Sequence, residues 1–403
     1  MLFHAHRSVV LRWLAAFMLT GAVLCPGDIR HPAIYSATPL LPSAEAKTTS
    51  SRGQRVDARF TPTYAFRDKT FTDFVTDSYR QASQGKTDAA EFYRWLDIAC
   101  AKTRRTTGPA PGVRGSLPLA AVLDAQRARL THIHGSAART RQERQVAAWA
   151  HRTVKKAIPR FSLERGFEFY NMVHGSERQC YSQSVLIASM LQRTGIPAGV
   201  VMVWKSRNGA ASNNGHAVVV AQLSNGRHLL VDASEPAPFP RQQGLFVRQD
   251  DQYRYVTPLF AINDVEIVGY RRKADRGRIT VSTVQTLDLP FLKSQFYYYR
   301  GERAPGGAFD SKKTTAGLSR SAQYLQTAVR LCPENPLAVY MLGRVYQRQG
   351  KAEAARAKFA QSYRQYSRFG YLPDGTRDAF ALVGVKKPQT SQVDPKAVTV
   401  SHR

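Results

Sequence analysis

Residues 175–197 read "GSERQCYSQSVLIASMLQRTGIP" and set one cysteine just ahead of an apolar run that closes on Gly-Ile-Pro. From Tyr181 to Arg193 there is no Gly or Pro. Leu186 and Met190, like Ile187 and Leu191, stand four residues apart, the spacing of one buried helical face. Gly195 stops the helix and Pro197 keeps it stopped. Cys180 thus falls in the first turn, where unpaired backbone N–H groups and the positive end of the helix dipole favour a thiolate, the reactive form of the side chain. The same N–H groups suit a developing oxyanion. A cysteine at a helix start is also a common core residue, so the helix alone does not separate a packed thiol from a nucleophile.

A nucleophile needs a base and a group that orients it. Downstream, "AGVVMVW" (198–204), "HAVVVAQL" (216–223) and "RHLLVDA" (227–233) read as Val-rich strands, the last two joined across Ser224-Asn225-Gly226, a hairpin turn by composition. His216 is expected to open its strand and Asp232 to close the next. In an antiparallel hairpin the start of one strand lies beside the end of its neighbour, so topology brings the two together. Cys180, His216 and Asp232 then form a candidate triad of nucleophile, base and orienting carboxylate. His174, six residues before Cys180, and His228, within a strand, compete for the role of base. Helix followed by strands makes the fold class α+β.

"RQCYSQSVLIASMLQRTGIPAGVVMV", "GHAVVVAQL" and "HLLVDAS" together resemble the transglutaminase-like core, of the bacterial cysteine-peptidase type, over roughly residues 140 to 270. The resemblance implies a papain-like α+β core with an antiparallel sheet. It makes Cys180 the nucleophile, His216 the general base and acid, and Asp232 the residue that orients the imidazole. Ala233-Ser234 stand where the family commonly has Pro-Thr, a departure outside the triad. The aromatic oxyanion donor of animal members has no counterpart by position, which leaves Gln179 or the Cys180 backbone N–H. The implied activity is a thiol hydrolase or acyltransferase acting on a protein or peptide substrate through an acyl-enzyme, without cofactor or metal. The alternative is an inactive envelope scaffold that binds through its C-terminal region.

That region, from Pro336, reads "PLAVYMLGRVYQRQGKAEAARAKFAQSYRQYS" and resembles a tetratricopeptide repeat, with Leu342, Gly343, Tyr346, Gly350, Ala355 and Phe359 in phase. Leu325, Ala328 and Pro333 suit the second helix of a preceding repeat, whose first helix includes "QFYYYRG" before a Gly-rich insertion at 301–307. Ser362 and Ser367 depart from the pattern. So short an array is expected either to pack on the catalytic unit or to dock one protein partner.

The N-terminus sets an apolar run, Trp13 to Cys25, behind Arg7 and Arg12. That is the length of a signal-peptide core and points to export, to a periplasm or cell envelope, with an uncleaved anchor as the other option. Ala44-Glu45-Ala46 offers a cleavage site, and Leu24 before Cys25 argues against lipidation. Removal of the leader leaves Cys100, Cys180 and Cys332, an odd number, with Cys100 and Cys332 expected to be structural, either separately buried or paired with each other. The formal charge is +29, and residues 101–160 hold thirteen Lys or Arg against Asp124 and Glu143. This stretch is either a solvated helical face or a docking face for an anionic envelope surface. No nucleic-acid signature accompanies the charge, and His132-Ile133-His134 lacks the further ligands of a metal set. The expected organisation is a leader and linker at 1–46, a helical region at 47–139, the catalytic domain at 140–285, helical hairpins at 286–385 and a loose tail at 386–403.

Overall fold

The helix that begins at Cys180 is the centre of the molecule. The computed structural model describes residues 60–83, 89–113, 115 and 117–385, so the expected leader, its cleavage site and the tail from 386 lie outside the described residues. Four helices come first: α1 (Lys69–Ala82), α2 (Ala89–Thr107), α3 (Leu119–His132) and α4 (Ser136–Ala157). A short parallel pair, β1 (Arg160–Phe161) and β2 (Glu177–Arg178), brackets α5 (Phe169–Gly175) and leads into α6 (Cys180–Arg193). α4 runs across position 139/140, so the expected boundary there falls inside one helix.

The strands after α6 are β3 (Ala198–Lys205), β4 (Ala211–Gln222), β5 (His228–Val231), β6 (Gly244–Gln249), β7 (Gln252–Phe260), β8 (Glu266–Arg272), β9 (Arg278–Ile279) and β10 (Val284–Gln285). They form an antiparallel sheet in the order β10-β6-β3-β4-β5-β8-β7, and the further pairing of β6 with β7 closes six strands into a barrel. The α+β class expected from the sequence is what the chain adopts. Alternation along the strands sends Val201, Val203, Val218, Val220, Leu230, Leu245, Val247 and Val256 into the barrel, while Met202, Val219, Val231 and Phe246 face the surrounding helices.

α6 lies against β3 and β4 and is covered by α3 and α4. Every residue from Cys180 to Leu191 is buried, so the helix is enclosed on all sides and not along the single apolar face that the spacing suggested. Its polar residues are satisfied within the protein: Ser182 Oγ donates to Gly166 O at 2.6 Å, Ser184 Oγ to Ala217 O at 3.1 Å, and Gln183 Nε2 to Ser234 Oγ at 2.7 Å. At its end Thr194 is the C-cap, Gly195 takes φ +83°, and Ile196 N donates back to Leu191 O at 3.1 Å. This left-handed turn is the reason for glycine there.

The C-terminal helices are α7 (Leu289–Glu302), α8 (Thr315–Leu331), α9 (Pro336–Arg348), α10 (Ala352–Phe369) and the short α11 (Arg377–Ala381). α7 packs on α8, and α9 on α10, as two antiparallel hairpins. Gly343 permits the second approach, since a Cβ there would meet the Phe359 ring at 2.7 Å. The hairpins rest on the barrel's outer face. Phe369 packs on Phe246 and Tyr253, and Tyr371 on Trp204 and Tyr255. Of the two fates expected for this region, packing on the preceding unit is thus observed. Buried Arg300 of α7 reaches Glu168 at 2.6 Å and Asp77 at 2.7 Å, tying the hairpins to the N-terminal helices. Among the described residues no helix is long and apolar enough to cross a membrane.

Candidate functional site

The sequence delivers a cysteine to the start of a helix in this fold by capping chemistry. Gln179 is the extended N-cap of α6, so Cys180 is its first helical residue. The N–H groups of the first turn have no carbonyl one turn back, so those that the capping box at Ser182 does not take remain available to a ligand. Cys180 is 3% exposed, and its Sγ lies 3.7 Å from Gly215 O, a long S–H···O contact.

Gly215 is the neighbour of His216, and here the structure corrects one expectation. His216 does not open its strand. β4 begins at Ala211 and pairs with β3 at Lys205↔Ala211, beyond an irregularity between Val203 and Lys205, and His216 pairs with Val203 in the interior of the strand. The bulge lets the polar stretch before His216 continue the ladder, which the composition of that stretch did not suggest.

His216 Nε2 and Asp232 Oδ2 are 2.7 Å apart. Asp232 follows the last residue of β5 and its side chain is fully buried, while that of His216 keeps 29% exposure. The carboxylate is held at both oxygens: Ser234 N donates to Oδ1 at 2.9 Å, and Gln242 Nε2 to Oδ2 at 3.1 Å. Burial opposes charge on Asp232, but the imidazolium and these hydrogen bonds outweigh it and hold its pKa below the ordinary value. Burial likewise opposes charge on His216, and again loses, here to the Asp232 charge and hydrogen bond and to Cys180, so that the imidazole pKa stands well above its ordinary value. Cys180 contributes to this rise less than Asp232 does. With Nε2 committed to Asp232, Nδ1 is the ring nitrogen left for sulfur.

The other two candidate bases sit elsewhere. His228 is buried in the barrel, against Phe60, with Nδ1 2.8 Å from Tyr270 Oη, and burial lowers its pKa to about 3. His174 is at the end of α5, stacked on Tyr170 and paired with Glu91 at 3.5 Å. Gln179 is buried beside Cys180, its side chain set toward the Ser182 N–H in a capping box, and its Oε1 makes no close hydrogen bond among the described residues. A turn of the amide would present Nε2 to the same space, the donor an oxyanion requires.

Several residues around the site were not singled out from the sequence. Gln242 and Ser234 fix Asp232. Gln183, one turn beyond Cys180, ties α6 to Ser234. On α4, His151 Nε2 and Lys155 Nζ stand 3.2 and 2.6 Å from Glu235 O and so pin the loop after Asp232. Only the i,i+4 spacing of His151 and Lys155 was visible beforehand, and it does not announce a partner some eighty residues away.

Cys100 and Cys332 are buried and free, not paired with each other. Burial raises the Cys100 thiol to about 12 and the Cys332 thiol, beside Tyr253, to about 11. Among the described residues no cluster of His, Cys, Asp or Glu is suited to a metal. No family model matches the chain, and no curated protein matches it either.

Proposed function

We propose that the protein is a thiol hydrolase of the transglutaminase-like kind, which opens an amide or peptide bond through an acyl-enzyme on Cys180. The single observation that carries this reading is the convergence of a helix-start cysteine, a histidine and a buried, doubly held aspartate at one rim of the barrel. A core thiol has no use for such a partner, and a buried ion pair is costly unless its geometry is retained for a purpose.

In this mechanism the Cys180 sulfur attacks the substrate carbonyl carbon while His216 holds the thiol proton. The oxyanion forms at the start of α6, against the Cys180 N–H with Gln179 as second donor. Collapse breaks the C–N bond, and the amine leaves with the proton from His216. Water, deprotonated by His216, then attacks the thioester, releasing the acid and restoring the thiol. An amine in place of water would give transamidation by the same steps. Asp232 keeps the ring in orientation and supports the imidazolium. The C-terminal hairpins, read as tetratricopeptide-like, serve here as a brace on the barrel, and export is the setting that the leader-like N-terminus suggests.

p-Nitrophenyl acetate tests the reading without knowledge of the substrate. The intact protein should release a burst of one p-nitrophenolate per chain and carry one acetyl group on Cys180 by mass spectrometry. Absence of both burst and adduct would favour the inactive scaffold.

A further inference from the structure

A cavity of about 550 Å³ opens on the barrel beside the candidate site and is lined mainly by cationic and aromatic side chains, with Gln243, Thr257 and Pro258 between them. One wall comes from the end of β3 and the loops beyond it, with Lys205, Arg207 and Arg241. The other comes from the end of β8 and the turn after it, with Arg271, Arg272, Lys273 and Arg276. Of these seven cations, Arg207 is matched by Glu235 at 3.2 Å and Arg272 by Asp275 at 2.9 Å. The remaining five have no carboxylate partner among the described residues, and no carboxylate lines the cavity. Two of them are held in place by rings. Arg241 lies 4.8 Å over Phe260, and Lys273 lies 5.5 Å over Trp204. The position of Trp204 is itself fixed, because its Nε1 donates to Val256 O at 3.0 Å, and Gly244 leaves the indole room that any Cβ would occupy.

Such a cavity is the size of a small-ligand site, and its walls come from the ends of β3 and β8 and the loops beyond them, with Arg241 and Lys273 seated over rings. Like charges gathered in one concavity repel until an anion enters. Five unmatched charges also discriminate among anions. A dicarboxylate supplies two, whereas each terminal phosphoryl group supplies about 1.5 to 2 and each internal one about one more, and all match the guanidinium fork in two-point contacts. We infer that the cavity binds a compact anion carrying two or more linked phosphoryl groups, clamped between Arg241 on one wall and Arg271 and Arg276 on the other. The wall is shared with the candidate site: Arg207 N donates to Gln242 Oε1 at 2.7 Å, and Gln242 is the residue that holds Asp232. The assignment does not depend on the reaction proposed for Cys180.

Isothermal titration of the full chain with sodium tripolyphosphate, at physiological salt, tests it. One site per chain is expected, with citrate weaker by at least about tenfold. Arg241→Gln combined with Arg271→Gln should weaken tripolyphosphate at least about tenfold, while Lys102→Gln with Arg105→Gln, exposed cations of α2, should change it less than about twofold. In the wild-type protein, tripolyphosphate should protect Arg241, Arg271 and Arg276 from phenylglyoxal. Lack of saturable binding, equal loss in both double variants, unprotected arginines or citrate as tight as tripolyphosphate would each overturn the inference.

Discussion

His216 Nε2 and Asp232 Oδ2 lie 2.7 Å apart at the rim of the barrel, and the carboxylate that makes this contact is fully buried. Ser234 N and Gln242 Nε2 complete its hydrogen bonding, so the imidazole meets an anion that cannot turn away. Two consequences follow from the geometry: the ring is orientated toward the start of α6, and its positive charge is favoured.

Asp232→Asn removes the charge and keeps the shape. Turnover of an activated ester should fall by about 10²–10⁴-fold, the usual worth of positioned acid–base catalysis, and not vanish. Gln242→Ala, which removes one of the two hydrogen bonds at Asp232 Oδ2 and leaves the His216 contact, should give a smaller loss, with the alkaline limb of the rate–pH profile moved downward. An unchanged profile in Gln242→Ala would mean that Gln242 only fills space.

Two histidines should move stability in opposite directions with pH. The His216 pKa is raised in the folded state, so its contribution is complete below about 6.5 and is lost as pH climbs through the folded value. Asp232 is lowered, so its share is present above about 3.8 and is lost as pH falls through its folded value. The destabilisation by His216→Ala should therefore be largest between those limits. His228, lowered to about 3, acts the other way, and the folded state loses stability as pH falls below about 6.5 because only the unfolded chain takes up the proton. Urea melts of His228→Phe should show a weaker loss between pH 6.5 and 4 than the wild type.

Much of this arrangement was legible in the sequence, for local reasons. Gly195 and Pro197 fix where α6 ends, Cys180 where it begins, and alternation in "HAVVVAQL" and "HLLV" fixes which residues of β4 and β5 face the helix. The hairpin turn at Ser224–Gly226 then brings His216 and Asp232 to one edge. What remained hidden was set by distant pairing. The closure of β6 on β7, the early start of β4 past the bulge at Val203/Lys205, and the hold of Gln242 on Asp232 all depend on contacts that no local period encodes. The full enclosure of α6 was missed because four-residue apolar spacing marks a single buried face, whereas Ser182, Gln183 and Ser184 each find a partner inside.

Gly343 offers a test of the C-terminal hairpins that is independent of chemistry. Valine there would drive a branched side chain into the Phe359 ring and should cost about 1–3 kcal/mol in urea unfolding. If α9 and α10 brace the barrel through Phe369, the variant should also lower, to the same midpoint as helix loss by far-ultraviolet circular dichroism, the unfolding followed by fluorescence of Trp204 in a background with Trp13, Trp95 and Trp149 replaced by Phe, since Trp204 packs on Tyr371 beyond α10. Independent melting of the two probes would separate the hairpins from the barrel.

The central claim is that Cys180 is a nucleophile activated by His216. Iodoacetamide labelling of the folded protein near pH 6, mapped by mass spectrometry, tests it most directly, because Cys100 and Cys332 serve as internal standards whose thiols burial has raised to about 12 and about 11. Cys180 should be alkylated well before either, and His216→Ala should remove most of that lead while leaving the other two unchanged. Labelling of Cys180 no faster than Cys100 and Cys332, or only after denaturation, would make it a core thiol and contradict the account.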